Sequence, residues 1–234
     1  INPLFKKLSS QIYYYKETPE GVSEMVDVWE EYADEKEKKL VAYHEAGHAI
    51  VTRLLPNQDP VHQVSIIPSG MAGGYTMHLP TEDKMYNSKE QMKNEIVVLL
   101  AGRIAEKLTM DDISTGASND IQRATQIARD MVTKYGMSEA LGTVFYDSEQ
   151  EEVFIGNSIG HSKNYSEEVA AEIDKEVRKF IDEVFNRCEE LIKGNMERLH
   201  IVAQALLEKE KIDGREFEEL FTSLDKKEEP ETEE

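Results

Sequence analysis

A single cysteine, Cys188, stands among the 234 residues of the chain. One cysteine excludes an intrachain disulfide framework and a zinc site built from several thiolates, and it is typical of a reducing compartment. The sequence also lacks any apolar run of about 18 residues, the length that a membrane-spanning helix needs. We therefore expect this stretch of protein to be soluble.

Positive charge is scarce as well. Lysine and arginine number 27 against 47 aspartates and glutamates, which gives a formal net charge of −20. Such a charge repels phosphate backbones, so the composition argues against a nucleic-acid partner. The GxxxxGK pattern of phosphate-binding loops is missing, and we expect the chain not to bind ATP. With 39% hydrophobic and 32% charged residues, the composition is that of a globular protein.

The chain begins with isoleucine rather than methionine, and its first residues lack the apolar core of a secretory signal. We expect a fragment of a longer protein, organised in three parts. Residues 1–33 are a lead-in that is irregular or partly helical, because its aromatic and acidic residues show no clean period. Residues 34–224 form one domain. Residues 225–234 contain no apolar residue and predict a disordered acidic tail.

Hydrophobic periodicity predicts a mainly α-helical α+β fold with a small β-sheet or hairpin. The first clear helix starts with Asp34 as its N-cap and stops before Pro56. Two β-prone runs, 61–67 and 74–79, are separated by turn residues and predict a pair of strands. Further helices are predicted over 88–106, 119–135, 166–193 and 195–210, and a last one, capped by Asp213, runs to Leu224.

The first helix carries His44-Glu45-Ala46-Gly47-His48, an HExxH motif. Residues i and i+4 lie one turn apart on the same face of a helix, so both imidazoles can bind one metal ion. Zinc accepts neutral imidazole nitrogen, and a catalytic zinc site adds a third protein ligand and an open position for water. The ion lowers the pKa of that water towards roughly 7, and Glu45 can take its proton. The motif therefore predicts a zinc metallopeptidase.

Four segments carry a resemblance to a known family. They are VAYHEAGHAIV, DPVHQVSIIPSGMAGGYTMHLP, LLAGRIAEKL and STGASNDIQRATQIARDMVTKYGMSEALG. Together they resemble the peptidase domain of FtsH, the membrane-bound AAA metalloprotease, and the similarity runs from about Glu35 to about Leu224. Residues 1–33 do not resemble the ATPase segment that precedes this domain in the family.

The resemblance implies a zincin-like active-site helix and one Zn²⁺ per chain. It also implies a homohexameric ring, unfolded or membrane-extracted polypeptides as substrates, and an ATPase domain in the parent chain that uses ATP. The parent is then anchored in a membrane, with the peptidase domain in the cytoplasm or in an organelle matrix or stroma.

The third metal ligand is not fixed by spacing, because acidic residues are abundant and ligands converge in three dimensions. In the family it is an aspartate of the motif that here reads Gly116-Ala117-Ser118-Asn119-Asp120, so the resemblance assigns Asp120. A carboxylate in the first turn of a helix stays ionised because free backbone N–H groups and the helix dipole stabilise it. Asp111 and Asp112 are the nearby alternatives.

Gly73, Gly74 and Tyr75 lie in a segment that borders the active-site cleft in this family. An exposed strand edge binds an extended peptide through main-chain hydrogen bonds, so these residues are substrate-binding candidates. The alternative is that the glycines only permit a β-bulge. His62 and His78 are candidates for binding substrate or an oxyanion, although surface or packing histidines are the commoner case.

Two other functions fit part of the sequence. One is a non-catalytic helical assembly module with a structural or idle metal site, and the other is a metallopeptidase that works without ATP. Glu45 favours an enzyme, because a structural zinc site closes its coordination with a fourth protein ligand and has no use for a general base. The sequence therefore predicts a zinc-dependent endopeptidase, the proteolytic part of an FtsH-like protease.

Overall fold

The computed structural model describes residues 6–8, 11–17, 23–27, 35–68, 73–80, 85–110, 113–146, 154–155, 158–159 and 165–225. The helices are α1 (Glu35–Leu54), α2 (Lys89–Thr109), α3 (Ser118–Thr133), α4 (Glu167–Lys193), α5 (Met196–Lys209) and α6 (Gly214–Thr222). The strands are β1 (Lys6–Leu8), β2 (Gln11–Glu17), β3 (Ser23–Asp27), β4 (Val61–Ser65), β5 (Tyr75–His78), β6 (Phe154–Ile155), β7 (Ser158–Ile159) and β8 (Lys211–Asp213). The predicted mainly helical α+β fold is therefore confirmed.

Contacts divide the chain into two compact units. The first comprises residues 1–83, 101–117 and 189–234, and the second comprises residues 84–100 and 118–188. The predicted domain boundaries at residues 34 and 224 stay predictions. Of the predicted tail, residues 226–234 lie outside the described residues.

The described stretches between residues 6 and 27 are strands. They form an antiparallel sheet in the order β1-β2-β3, with Lys6 opposite Tyr13 and Tyr15 opposite Met25. The expectation of an irregular or partly helical lead-in is therefore wrong for these stretches. Tyrosine favours strands, and the run of three tyrosines outweighs the lack of a clear period.

Helix α1 is enclosed between residues 44 and 52. These residues are all buried, so this stretch is covered on every side rather than on one face. The helix ends before Pro56, as predicted, and the predicted N-cap Asp34 lies outside the described residues. Glu35 and Glu37 in the first turn and Arg53 in the last turn complement the helix dipole.

A three-stranded antiparallel sheet in the order β5-β4-β8 contacts α1. Its middle strand places Val64 opposite Thr76 on one side and opposite Ile212 on the other. The pairing of β4 with β5 confirms the two predicted strands. Strand β8 was not predicted, because three residues directly before a helix give little periodic signal.

Side chains cap helices α2 and α6. Before α2, the Ser88 hydroxyl accepts a hydrogen bond from the Gln91 N–H at 3.2 Å, and the Gln91 side chain accepts from the Ser88 N–H at 2.7 Å. This reciprocal pair is a capping box. At α6 the predicted cap is confirmed, since the Asp213 side chain accepts from the Glu216 N–H at 2.9 Å.

The second unit has an apolar core of its own. Met131 and Ile173 are fully buried in it, and the buried thiol of Cys188 donates to the carbonyl of Val97 at 3.4 Å. Across all the described residues, no helix combines the length and the apolar character needed to cross a membrane.

Candidate metal centre

Three polar residues of α1 are buried close together. His44, Glu45 and His48 expose only 8%, 6% and 8% of their surface. Burying ionisable groups is costly unless other groups satisfy them, so the motif needs partners. Helix α2 and strand β5 provide them.

Glu106 on α2 holds the first histidine. Its carboxylate is fully buried, and Oε1 lies 2.7 Å from His44 Nδ1. Burial raises the pKa of Glu106, but the hydrogen bonds from His44 and the Ser114 backbone and the charge of Arg103 outweigh it and lower the pKa below its usual value. An ionised carboxylate only accepts hydrogen bonds, so His44 Nδ1 carries a hydrogen. In the neutral imidazole, Nε2 then presents a lone pair.

The same carboxylate has three further donors. Arg103 Nη1 lies 3.1 Å from Glu106 Oε2, and the backbone N–H of Ser114 donates to that oxygen at 3.1 Å. The Ser114 hydroxyl is the third donor and lies 3.3 Å from each carboxylate oxygen. Arg103 also donates to the carbonyl oxygen of Ser114. Glu106 therefore orients His44 and fixes the chain at Ser114 with one charged group.

The two histidines face each other through their Nε2 atoms. These atoms lie 3.1 Å apart, and the rings meet edge to face with centroids 4.7 Å apart. Two nitrogen ligands of a tetrahedral zinc ion lie about 3.3 Å apart, given Zn–N bonds of about 2.0–2.1 Å. The separation therefore fits a pair of imidazoles that share one ion.

Two glycines allow the motif and α2 to meet closely. A Cβ atom on Gly47 would lie 2.7 Å from the carbonyl oxygen of Ala101, and one on Gly102 would lie 2.5 Å from the ring of His44. A larger residue at either position would push the helix backbone or the imidazole away, because packed interiors leave no spare room.

Asp120 lies in the first turn of α3. His44, His48 and Asp120 each offer one ligand atom, and these atoms all lie within 4.8 Å of one another. Metal binding by these three residues stays a prediction. The alternatives Asp111 and Asp112 lie outside the described residues.

Strand β5 supplies a hydrogen-bond donor to Glu45. Thr76 Oγ1 donates a hydrogen bond to Glu45 Oε2 at 2.8 Å. Neither Thr76 nor Glu106 was predicted from the sequence. The available signal for Glu106 was an acidic residue at helical spacing from Leu99 and Gly102, where an apolar residue belongs. Thr76 carried no signal of its own.

Gly74, one of the substrate-binding candidates, lies tightly against α1. A Cβ atom there would lie 2.7 Å from the carbonyl oxygen of Ser65 and 3.0 Å from Glu45 Cγ. The absence of a side chain therefore brings the chain close to the base. Gly73 is exposed, and the Tyr75 hydroxyl accepts a hydrogen bond from the Gln63 side chain. A substrate-binding role for Gly73, Gly74 and Tyr75 stays a prediction.

The remaining candidates differ in their surroundings. The register shift in the β4–β5 hairpin lies between Val61 and Gln63, away from the two glycines. His62 is exposed, whereas His78 Nε2 lies 3.1 Å from Thr52 Oγ1. Burial, followed by the charge of His48, lowers the pKa of His78, which favours a neutral imidazole.

Sequence comparison places these residues in a family. The profile of peptidase family M41 matches residues 31–220. The ATP-dependent zinc metalloprotease FtsH 1 of Thermoanaerobacter sp. (strain X514) is 62% identical over 191 residues, which cover 82% of this chain and 31% of that protein. The ATP-dependent zinc metalloprotease FtsH of Caldicellulosiruptor bescii is 62% identical over 186 residues, or 80% of this chain and 30% of the relative.

The corresponding protein of Thermotoga maritima is 47% identical over 188 residues, or 80% of this chain and 31% of the relative. The chain thus spans about a third of the length of these curated relatives. The predicted resemblance to the FtsH peptidase domain is confirmed, and the family profile covers most of the chain. The chain therefore belongs to peptidase family M41.

Proposed function

We propose that this chain is a zinc-dependent endopeptidase and the proteolytic part of an FtsH-like, ATP-dependent protease. The observation that carries the proposal is the pair of Nε2 atoms of the buried residues His44 and His48, 3.1 Å apart, beside a glutamate that has its own hydrogen-bond donor. A structural zinc site has no use for such a glutamate. This geometry therefore favours an enzyme over a non-catalytic assembly module.

His44, His48 and Asp120 are the proposed ligands of one Zn²⁺ per chain. Their candidate ligand atoms lie within 4.8 Å of one another, which supports this assignment. The relatives are named zinc metalloproteases, which supports zinc as the ion. Two imidazole nitrogens and one carboxylate oxygen are a donor set typical of catalytic zinc, and three protein ligands leave a position open. When bound, zinc lowers the pKa of water and polarises a carbonyl group.

Glu45 is the proposed general base. Thr76 donates to its Oε2, so Oε1 is the oxygen that accepts a proton from the attacking water. The water oxygen bonds to the peptide carbonyl carbon, the C–N bond breaks, and Oε1 passes the proton to the departing amine nitrogen. The Glu106 side chain is fully buried, so its proposed role is to orient the His44 ring rather than to contact the substrate.

The proposed substrates are unfolded or membrane-extracted polypeptides. β5 is an outer strand of its sheet, and Thr76 in this strand contacts the base. An extended peptide that pairs with the outer edge of β5, next to Gly73, Gly74 and Tyr75, comes close to Glu45. Main-chain hydrogen bonds read no particular side chain, so we expect broad sequence tolerance.

The parent protein supplies the remaining parts in this proposal. The relatives are named ATP-dependent, and the chain spans about a third of their length. We place an ATPase domain and a membrane anchor elsewhere in the parent, and the peptidase domain in the cytoplasm or in an organelle matrix or stroma. We also propose a homohexamer. Light scattering tests this state, and a monomer at high concentration would contradict assembly by this chain alone.

A digestion experiment tests the proposed activity. The purified chain is incubated with a stably folded protein and with an unfolded one such as casein, with and without ATP. We expect cleavage of the unfolded protein at a rate that ignores nucleotide and falls to background with a zinc chelator. Chelator-resistant cleavage would contradict the zinc mechanism. ATP-stimulated cleavage of the folded protein would contradict the expectation that this chain does not bind ATP.

A further inference from the structure

Thr76 contacts the carboxylate that the proposed reaction uses as its base. Its Oγ1 lies 2.8 Å from Glu45 Oε2 and 3.2 Å from the Glu45 backbone oxygen. A hydroxyl carries one hydrogen, and the shorter distance and the charge favour the carboxylate as its acceptor. Among the side chains that the structure describes, Thr76 is the donor to this carboxylate.

The course of β5 holds this hydroxyl in place. Side chains alternate along a strand, so Thr76 and His78 share one face, while Met77, with 42% of its surface exposed, lies on the other. Thr76 bonds to Glu45, and His78 lies 3.1 Å from the hydroxyl of Thr52, seven residues further along α1. The strand therefore follows α1 for about two helical turns and is hydrogen-bonded to it at both ends.

The glutamate is confined along its length. Gly74 lies so close that a Cβ there would be 3.0 Å from Glu45 Cγ, and Thr76 holds Oε2 at the other end of the side chain. Rotation about the last torsion of a free glutamate exchanges its two oxygens, because that torsion is broad and roughly two-fold. A bound Oε2 resists this exchange and leaves Oε1 in one position.

We propose that Thr76 is a positioning residue, which fixes the Glu45 carboxylate so that Oε1 is presented to the attacking water. This inference rests on the proposed peptidase function. Thr76 touches the base and not the reacting atoms, so its loss should lower kcat and leave KM nearly unchanged. A general base contributes about 10²- to 10⁴-fold to the rate, and misplacing it forfeits part of that factor.

Two substitutions isolate the hydroxyl. Thr76→Val keeps the shape and the preference for strand but removes the donor, whereas Thr76→Ser keeps the donor. In the zinc-loaded 234-residue chain, we expect Thr76→Val to lower kcat for casein about 10-fold, and Thr76→Ser to stay within about threefold of wild type. The matched control is Thr222→Val, which removes a hydroxyl bonded to the Glu218 carbonyl at 2.8 Å on α6 and should leave kcat unchanged.

Binding of a peptide hydroxamate, followed by calorimetry, gives a readout that does not depend on turnover. A hydroxamic acid gives its proton to the general base when it binds, so its affinity reports how the base is placed. We expect Thr76→Val to weaken binding about fivefold with zinc content unchanged. In a Glu45→Gln background the same substitution should have less than about a twofold effect, because Thr76 acts through Glu45.

The outcomes separate this inference from the function beneath it. Wild-type cleavage that depends on Glu45, with equal kcat and hydroxamate affinity in Thr76→Val, would overturn the role of Thr76 alone. A loss of bound zinc or of melting temperature in Thr76→Val that accounts for the lost activity would assign the hydroxyl to the fold and overturn it too. Wild-type cleavage independent of Glu45 or zinc would overturn both proposals.

Discussion

Two of the elements beside the HExxH helix bind its polar residues in different ways. Helix α2 holds His44 with Glu106, a fully buried carboxylate that accepts from four donors. Strand β5 holds Glu45 with one half-buried hydroxyl, that of Thr76. A metal ligand needs a fixed tautomer and a fixed ring, whereas a base needs one oxygen held and the other left to exchange a proton. Changes on the α2 side should therefore affect metal binding first, and changes on the β5 side should affect turnover.

The largest effect on metal binding is expected at the third ligand itself. Asp120→Ala removes one of three proposed protein donors, and zinc affinity should fall by more than about 100-fold, beyond the range seen for residues that only support ligands. Competition with a fluorescent chelator measures the affinity. Asp130→Ala, in the last turn of α3, breaks an ion pair with Lys134 at 3.3 Å and is the control. Equal zinc affinity in Asp120→Ala would remove this residue from the site.

A smaller effect is expected at Glu106. Glu106→Gln replaces a charged acceptor by an amide that must turn one NH₂ group towards another donor, so His44 loses its fixed tautomer. Zinc affinity should fall about 10- to 100-fold. Glu90→Gln on the same helix breaks an exposed pair with Arg187 at 2.7 Å and should leave zinc affinity as it is. If the two variants bind zinc equally well, the α2 side does not support the metal in the way that we describe.

The smallest effect concerns the contact between α1 and α2. Gly102→Ala places a Cβ atom 2.5 Å from the His44 ring, and relief of this overlap should lower the free energy of unfolding by about 1–3 kcal/mol. Gly194→Ala, where the nearest atom lies at 3.4 Å, is the matched control and should change stability by less than about 0.5 kcal/mol. Urea denaturation of the zinc-free proteins measures both. An equally stable Gly102→Ala variant would mean that the two helices have room to separate.

The sequence predicted the parts of the site that lie within one helix. His44, Glu45 and His48 follow from their spacing alone, since four residues span about one turn. The residues that hydrogen-bond to them could not be predicted, because Glu106 lies 62 residues from His44 and Thr76 lies 31 residues from Glu45. No local period links such distant positions. Asp120 was assigned by family resemblance for the same reason.

The fold shows a similar division. The helices and the β4–β5 pair were predicted because each repeats a pattern over several residues. Strand β8 is short and pairs with β4, which lies far away along the chain. Its local sequence therefore did not predict a strand. The strands between residues 6 and 27 were missed because three adjacent tyrosines show no alternation, although each favours a strand.

The most direct test of the account compares wild type with Glu45→Gln for bound zinc and for casein cleavage in the same preparation. Glutamine keeps the size of the side chain but cannot accept the proton of the attacking water. We expect one zinc ion per chain in both proteins, with the cleavage rate lower by more than about 100-fold in Glu45→Gln. Near-normal cleavage by Glu45→Gln would contradict the assignment of Glu45 as the base and, with it, the claim that this motif is the active site.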